Sequence, residues 1–308
     1  MARSQNTSSQ SGMASRLRAI WLVASFDVVE SLRSRKAVVL LLLYALGSFG
    51  GSAVFIRILG AIRERLEEEV GRAVDMKELM KSPGMARVAG ALTGDVDVAG
   101  AIVAIPPMAL FYGWLAMNFV PLLVLFTSVD AVSGDLSSGA VRYSLFRTER
   151  LSWALGKLLG QTCLMAVGVL SGALASWLTG VIWFDGMAVA DTAFWLLRIS
   201  GRSIVYSFAY LGMVLGASQI ARTTARAGGL ALVVMFLASV GGSIVQAEPI
   251  AERAPELMNA LSKLFPNGHH LWLWHPGVVQ SVSAMVGLVL IGLAYFGLGF
   301  WRFSRRDA

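Results

Sequence analysis

Residues 37–58 read AVVLLLLYALGSFGGSAVFIRI, and the first 20 of them carry no charge. At about 1.5 Å of rise per residue, a helix of that length crosses roughly 30 Å, the hydrocarbon core of a bilayer. Arg33, Arg35 and Lys36 stand directly before the run and Arg57 closes it. Five more runs of this kind follow, near 108–129, 158–184, 194–220, 227–245 and 278–301. Composition agrees. Of 308 residues, 56% are hydrophobic and 15% charged, where a soluble domain has about 25% charged. Mean hydropathy is +0.65. The sequence therefore predicts an all-α integral membrane protein with six transmembrane helices. Pro121 interrupts the second span, where it frees a carbonyl and favours a kink.

Outward from the first span the chain is less apolar. Residues 1–14 are rich in Ser and Gln without an apolar core, the composition of a disordered tail rather than a signal peptide. The rest, 15–308, reads as one transmembrane domain. Over 15–36, Leu17, Ile20, Trp21, Ala24 and Val28 recur at helical spacing, with Arg16, Arg18, Asp27 and Glu30 on other faces. That pattern predicts an amphipathic interfacial helix anchored by Trp21 and Phe26. Between the first two spans, 59–105 carries Arg63, Arg65 and Glu67 to Glu69 beside Ile62, Leu66, Val70 and Val74, with Leu79 and Met80 before a Ser82-Pro83-Gly84 breaker. It reads as an external segment of short helices, either a solvated cap or a partner contact.

The net charge is +7 and the isoelectric point is near 9.9. Such basicity also suits a nucleic-acid binder, but here it is sorted by topology. Fifteen of the 26 Lys and Arg fall up to Lys36, in 130–157, in 222–226 and at 302–306, all on one side of a six-span layout. The two short opposite loops hold only Arg253 and Lys263. The positive-inside rule then places both termini in the cytoplasm of a cell-membrane protein, with no nucleic-acid partner.

Few side chains within the spans suggest chemistry. Cys163 lies in an apolar run as a small hydrophobe. His269, His270 and His275 are spaced closely enough to hold a metal. Trp272 and Trp274 alternate with Leu271 and Leu273 beside them, before Pro276-Gly277, which favours an interfacial aromatic belt, and no metal or other cofactor is expected. Arg198 and Arg202, four apart, either line a substrate path within the bilayer or lie at its outer surface. No His lies inside a span and no paired acids occur there, so a membrane-embedded enzyme is disfavoured and no catalytic residue is assigned.

The most telling polar stretch joins the second and third spans: residues 130–157 read DAVSGDLSSGAVRYSLFRTERLSWALGK. Ser133-Gly134-Asp135 and Ser138-Gly139-Ala140 are breakers and caps. Val141, Leu145 and Phe146 form a short apolar stripe flanked by Arg142, Arg147 and Arg150. This segment resembles the signature of ABC-2 type transporter permeases, in which an acidic turn ending Glu-x-x-x-Gly-Thr leads to a coupling helix, a Ser/Arg-rich bend and a Gly-Lys opening the third span. Asp135 and Gly139-Ala140 match the turn, with Asp for Glu and Ala for Thr; Arg142, Leu145 and Phe146 match the helix. Arg150-Leu151-Ser152 and Gly156-Lys157 match the exit, while Thr148-Glu149 stands where a proline is usual.

The resemblance implies a permease subunit, an exporter by expectation, with a cytoplasmic coupling helix within 131–157 and no ATP site of its own. A Walker-type Gly-x-x-x-x-Gly-Lys-Ser/Thr is lacking. It implies two cytoplasmic ATPase subunits per transporter and a second permease copy, or a related permease, facing this one through the second and fifth spans. Asp135, Gly139, Val141, Arg142, Leu145, Phe146, Arg147 and Arg150 become the expected ATPase-coupling residues. The alternative is a permease-like scaffold of a secretion or motility machine.

Overall fold

Ser34 separates the first two helices, α1 (Arg3–Arg33) and α2 (Arg35–Val70). Its backbone is extended, ψ 124°, and its hydroxyl accepts a hydrogen bond from the Ala37 N–H at 3.2 Å, which caps α2. A computed structural model describes residues 3–72, 84, 87, 90, 102, 105–246, 255–275 and 277–305. The later helices are α3 (Pro107–Ser128), α4 (Asp130–Ser138), α5 (Ala140–Leu145), α6 (Arg150–Trp183), α7 (Val189–Ile220), α8 (Thr224–Gln246), α9 (Pro255–Ser262), α10 (Asn267–Trp274) and α11 (Val278–Ser304). Among the described residues there is no strand, and six helices are long and apolar enough to span a membrane. They are α2, α3 with α4, α6, α7, α8 and α11.

The core is built around α7, which packs on α3, α6, α8 and α11. Gly212 and Gly216 of α7 meet Gly292 and Gly299 of α11 backbone to backbone; a Cβ at Gly299 would lie 2.5 Å from the Gly216 Cα. On the other side of α6, the Ser52 hydroxyl of α2 donates to Ser176 at 2.9 Å, and the Tyr112 hydroxyl of α3 donates to the Val169 carbonyl. The outer faces are different. Leu42, Leu43 and Leu46 of α2, Leu232, Val233, Phe236 and Leu237 of α8, and Leu290 and Leu298 of α11 are each more than half exposed. In water such faces would aggregate; in lipid they are the solvent-facing surface.

Several helices run further than hydropathy alone suggests. α2 has 36 residues, about 54 Å, so its charged second half continues the first span beyond the ~30 Å core. It ends where Gly71 takes φ 70° and returns its N–H to the Glu67 carbonyl at 2.9 Å. Most of the remaining external segment, including Val74, Leu79, Met80 and Ser82-Pro83, lies outside the described residues. α3 continues through Pro121. α1 starts at Arg3 and runs to Arg33.

Two expectations about helix faces are corrected. On α1 the buried side chains are Ala24 and Asp27, 2% and 3% exposed, whereas Leu17, Trp21, Leu22 and Phe26 are more than half exposed. Asp27 thus sits on the packed face rather than the polar one, because a cation waits on α6. At α10, only Trp272 keeps the outward position of an aromatic belt; Leu273 and Trp274 are buried in the bundle. A helix places positions three and four apart on one face, so His269, His270, Leu273 and Trp274 turn in together.

Candidate functional site

The link between α3 and α6 leaves the bundle as a bent continuation of α3. Asp130 opens α4 directly after Val129, and Gly139, at φ 76°, ends α4 and starts α5. A residue with a Cβ is strained there, which gives the Gly of the motif its reason. The root of the link is fastened to α7. The Ser133 N–H donates to the Ser218 hydroxyl at 2.8 Å, and that hydroxyl donates to the Val129 carbonyl at 2.8 Å. Val132 and Val141 are buried beneath it.

Beyond the root the link is bare. Phe146 is 86% exposed and Tyr143 79%, with Arg142 and Arg147 exposed on either side of them. Two large rings facing water on a six-residue helix and its C-cap are a costly arrangement unless something covers them.

Under the root lies a buried ion cluster. The Lys157 ammonium of α6 meets an Asp27 carboxylate oxygen of α1 at 2.8 Å and an Asp135 oxygen of α4 at 2.9 Å. The second Asp27 oxygen accepts from the Gln161 amide at 2.7 Å, and the Gln161 carbonyl accepts from Ser128 at 2.8 Å. Three separate elements are therefore tied through one ammonium. Burial outweighs the attraction of Lys157 and holds the Asp27 carboxyl above its ordinary range. A cleft of about 330 Å³ opens beside the cluster, with a Lys36–Asp130 pair at 2.7 Å among its lining residues.

Glycines permit this approach. A Cβ at Gly156 would lie 2.5 Å from Val23, and one at Gly160 would lie 2.8 Å from the Asp27 carboxylate and 3.0 Å from the Ala24 carbonyl. The acidic turn and the Gly-Lys exit of the sequence motif thus meet in space: Asp135 and Lys157 are ion-paired, and Gly156 makes room for α1.

The other site residues of the sequence reading scatter. Leu145 is half-buried. Val141, expected on the outward stripe, is 3% exposed and pins α5 to the bundle, because Val141 and Leu145 lie on the face that closes onto the root. Tyr143 takes its place beside Phe146. Arg150 turns back, its guanidinium donating to the Ser304 carbonyl at 2.8 Å. Arg198 lies over the Trp195 ring at 5.0 Å, and Arg202 is buried, donating to the Leu273 carbonyl at 2.6 Å. Both stand on the α10 side of α7, far from the link.

The histidines find separate partners. His269 shares a hydrogen bond with the Lys263 carbonyl at 2.9 Å, His270 packs on Tyr206, and His275 stacks on Trp272. Burial lowers the His270 imidazole to about 4, so it is neutral near pH 7. Sequence reasoning named Asp27 and Lys157 without giving either a place in the site, and passed over Gln161. The available signal was spacing: Lys157 and Gln161 are four apart at the mouth of an apolar span, and Asp27 shares a stripe with Ile20, Ala24 and Ser31.

A comparison with curated proteins returns no match. The chain matches the family described as ABC-2 family transporter protein over residues 21–308, which takes in all six spans, the link and the ion cluster. The polytopic bundle and its motif-bearing link are therefore those of a member of the ABC-2 transporter family, to which this chain belongs.

Proposed function

We propose that this chain is the permease half of an ATP-driven exporter in the cell membrane, with both termini and the link in the cytoplasm. A separate ATPase subunit grips the link at α5. The observation that carries this reading is the contrast within the link: a root fixed by the Lys157 ion pairs and Ser218, and a tip with Phe146 and Tyr143 uncovered. A lever needs both. A loose root would absorb a push without moving the spans, and a covered tip could not be held. Arg142 and Arg147 flank the exposed rings and would steer an acidic rim on the ATPase. The second permease half is another copy or a relative, and the surface of α3 around Asn118 and Phe119 supplies part of that contact.

The test is the double variant Arg142→Glu with Phe146→Ala. Its ATPase should no longer co-purify at the parental yield, and export by reconstituted vesicles should stop while the permease stays folded. Parental co-purification together with parental export by the double variant would refute the assignment of α5.

A further inference from the structure

The outward end of a polytopic bundle rarely buries an arginine without an acid, and Arg202 is such a case. It is 5% exposed, and no carboxylate is paired with it among the described residues. Its hydrogen-bond partner is the Leu273 carbonyl, at 2.6 Å, in the last turn of α10. The final carbonyls of a helix have no partner inside the helix and carry the negative end of its dipole, roughly half a charge. Arg202 therefore finds its counter-charge in a helix terminus.

α10 is otherwise seated in slots cut for it. Its Trp274 ring lies where a Cβ on Gly113 of α3 would collide, and its His269 ring fills the space beside Gly287 of α11. Asn267 accepts from the Tyr210 hydroxyl at 3.4 Å and donates to the Ser239 carbonyl at 3.3 Å. Four spans grip the rings of this eight-residue helix or its ends, and its innermost residues, Leu273 and Trp274, are at most 1% exposed.

We infer that Arg202 is a positioning residue that clamps α10 into the end of the bundle away from the termini, closing that end, rather than a cation that meets an anionic cargo. The clamp acts through charge at a helix terminus, so a lysine should serve nearly as well as arginine, whereas a neutral side chain should not. It needs neither ATPase nor cargo, and it goes beyond the permease reading.

The experiment places a cysteine at Leu273 (Leu273→Cys) in a Cys163→Ser background, with the full chain in lipid nanodiscs, and follows labelling by a water-soluble maleimide. Labelling should be slow with Arg202 present, at least tenfold faster with Arg202→Met, and close to the parental rate with Arg202→Lys. Gly287→Ala, which crowds His269 and leaves Arg202 untouched, should also accelerate labelling, and it decides the matter if Arg202→Met fails to fold. Equal rates for Arg202→Met and its parent, a Lys variant as fast as the Met variant, or no acceleration by Gly287→Ala would each overturn the inference. None of these outcomes bears on whether an ATPase grips α5.

Discussion

Replacing Lys157 by methionine isolates the ion cluster, because the two side chains have similar length and the change removes only charge and hydrogen bonds. In the parent, one ammonium faces two carboxylates at 2.8 and 2.9 Å, with its side chain 6% exposed and that of Asp27 4% exposed. Removing one partner of a buried pair costs about 3–5 kcal/mol, since the remaining charge stays desolvated. The lower end applies here, because Asp135 is a quarter exposed and keeps some water. At roughly 2 °C per kcal/mol for a chain of this size or larger, the midpoint of thermal unfolding should fall by about 6 °C. The deficit has a sign in pH. Burial already holds the Asp27 carboxyl above its usual value, so its ionised form is the disfavoured one once Lys157 is gone. Asp27 then takes up a proton at a higher pH than an ordinary carboxylate as the solution is acidified, and the gap between variant and parent should narrow. Adding Asp27→Asn to Lys157→Met should restore most of the loss at neutral pH. Melting curves of the purified protein in nanodiscs at two pH values measure all of this. A Lys157→Met variant that melts with its parent, or a double variant no better than the single, would refute the reasoning.

Three further changes probe other contacts. Gly160→Ala places a Cβ 2.8 Å from the Asp27 carboxylate and 3.0 Å from the Ala24 carbonyl, so α1 must move outward; hydrogen exchange over α1 should rise while that of α7 stays unchanged. His270 is neutral until about pH 4, whereas an unfolded histidine titrates near 6.5; its contribution is present above 6.5 and lost as pH falls through that window, so the protection factors of α10 amides, relative to intrinsic exchange at each pH, should fall on acidification and His270→Phe should flatten the response. Asn118, exposed near the middle of α3, has only its own Trp114 carbonyl as partner among the described residues. Asn118→Leu should weaken association of permease halves by about threefold to thirtyfold, measured by native mass analysis, if that face meets the second half.

The spans were legible because lipid leaves a chain no choice. Every backbone group must pair within a helix, so an uncharged run of 20 residues such as 37–56 has one outcome. Gly139 was legible for a similar reason, since a turn between two short helices needs a residue that tolerates positive φ. Faces were harder. Periodicity assigns Asp27 to a polar side of α1, and only a partner 130 positions away, Lys157, reverses that. The same holds for α10: a run of Leu and Trp near a span start fits a belt at the membrane surface equally well, and the inward turn of Trp274 depends on Gly113, far off in sequence. Spacing can mark a polar side chain or a glycine as unusual, but which distant partner it meets carries no local signature in a single sequence.

Two polar fixtures at opposite ends of the bundle share one helix. Ser218, near one end of α7, holds the root of the link; Arg202, about 24 Å away along the same helix, holds α10. Between them α7 is buried on nearly every side and touches α11 backbone to backbone at Gly212 and Gly216. Interiors packed that tightly do not deform smoothly, so a displacement applied at Ser218 moves the helix as a body. α8 is a poor alternative: its Leu232, Val233, Phe236 and Leu237 face outward. Of the spans that touch the link, α7 alone is tied by hydrogen bonds to the link root at one end and to α10 at the other among the described residues. A force applied at α5 would therefore reach α10 through α7, whose hydrogen-bond ties to α10 are the Arg202–Leu273 bond at 2.6 Å and the longer Tyr210–Asn267 bond at 3.4 Å.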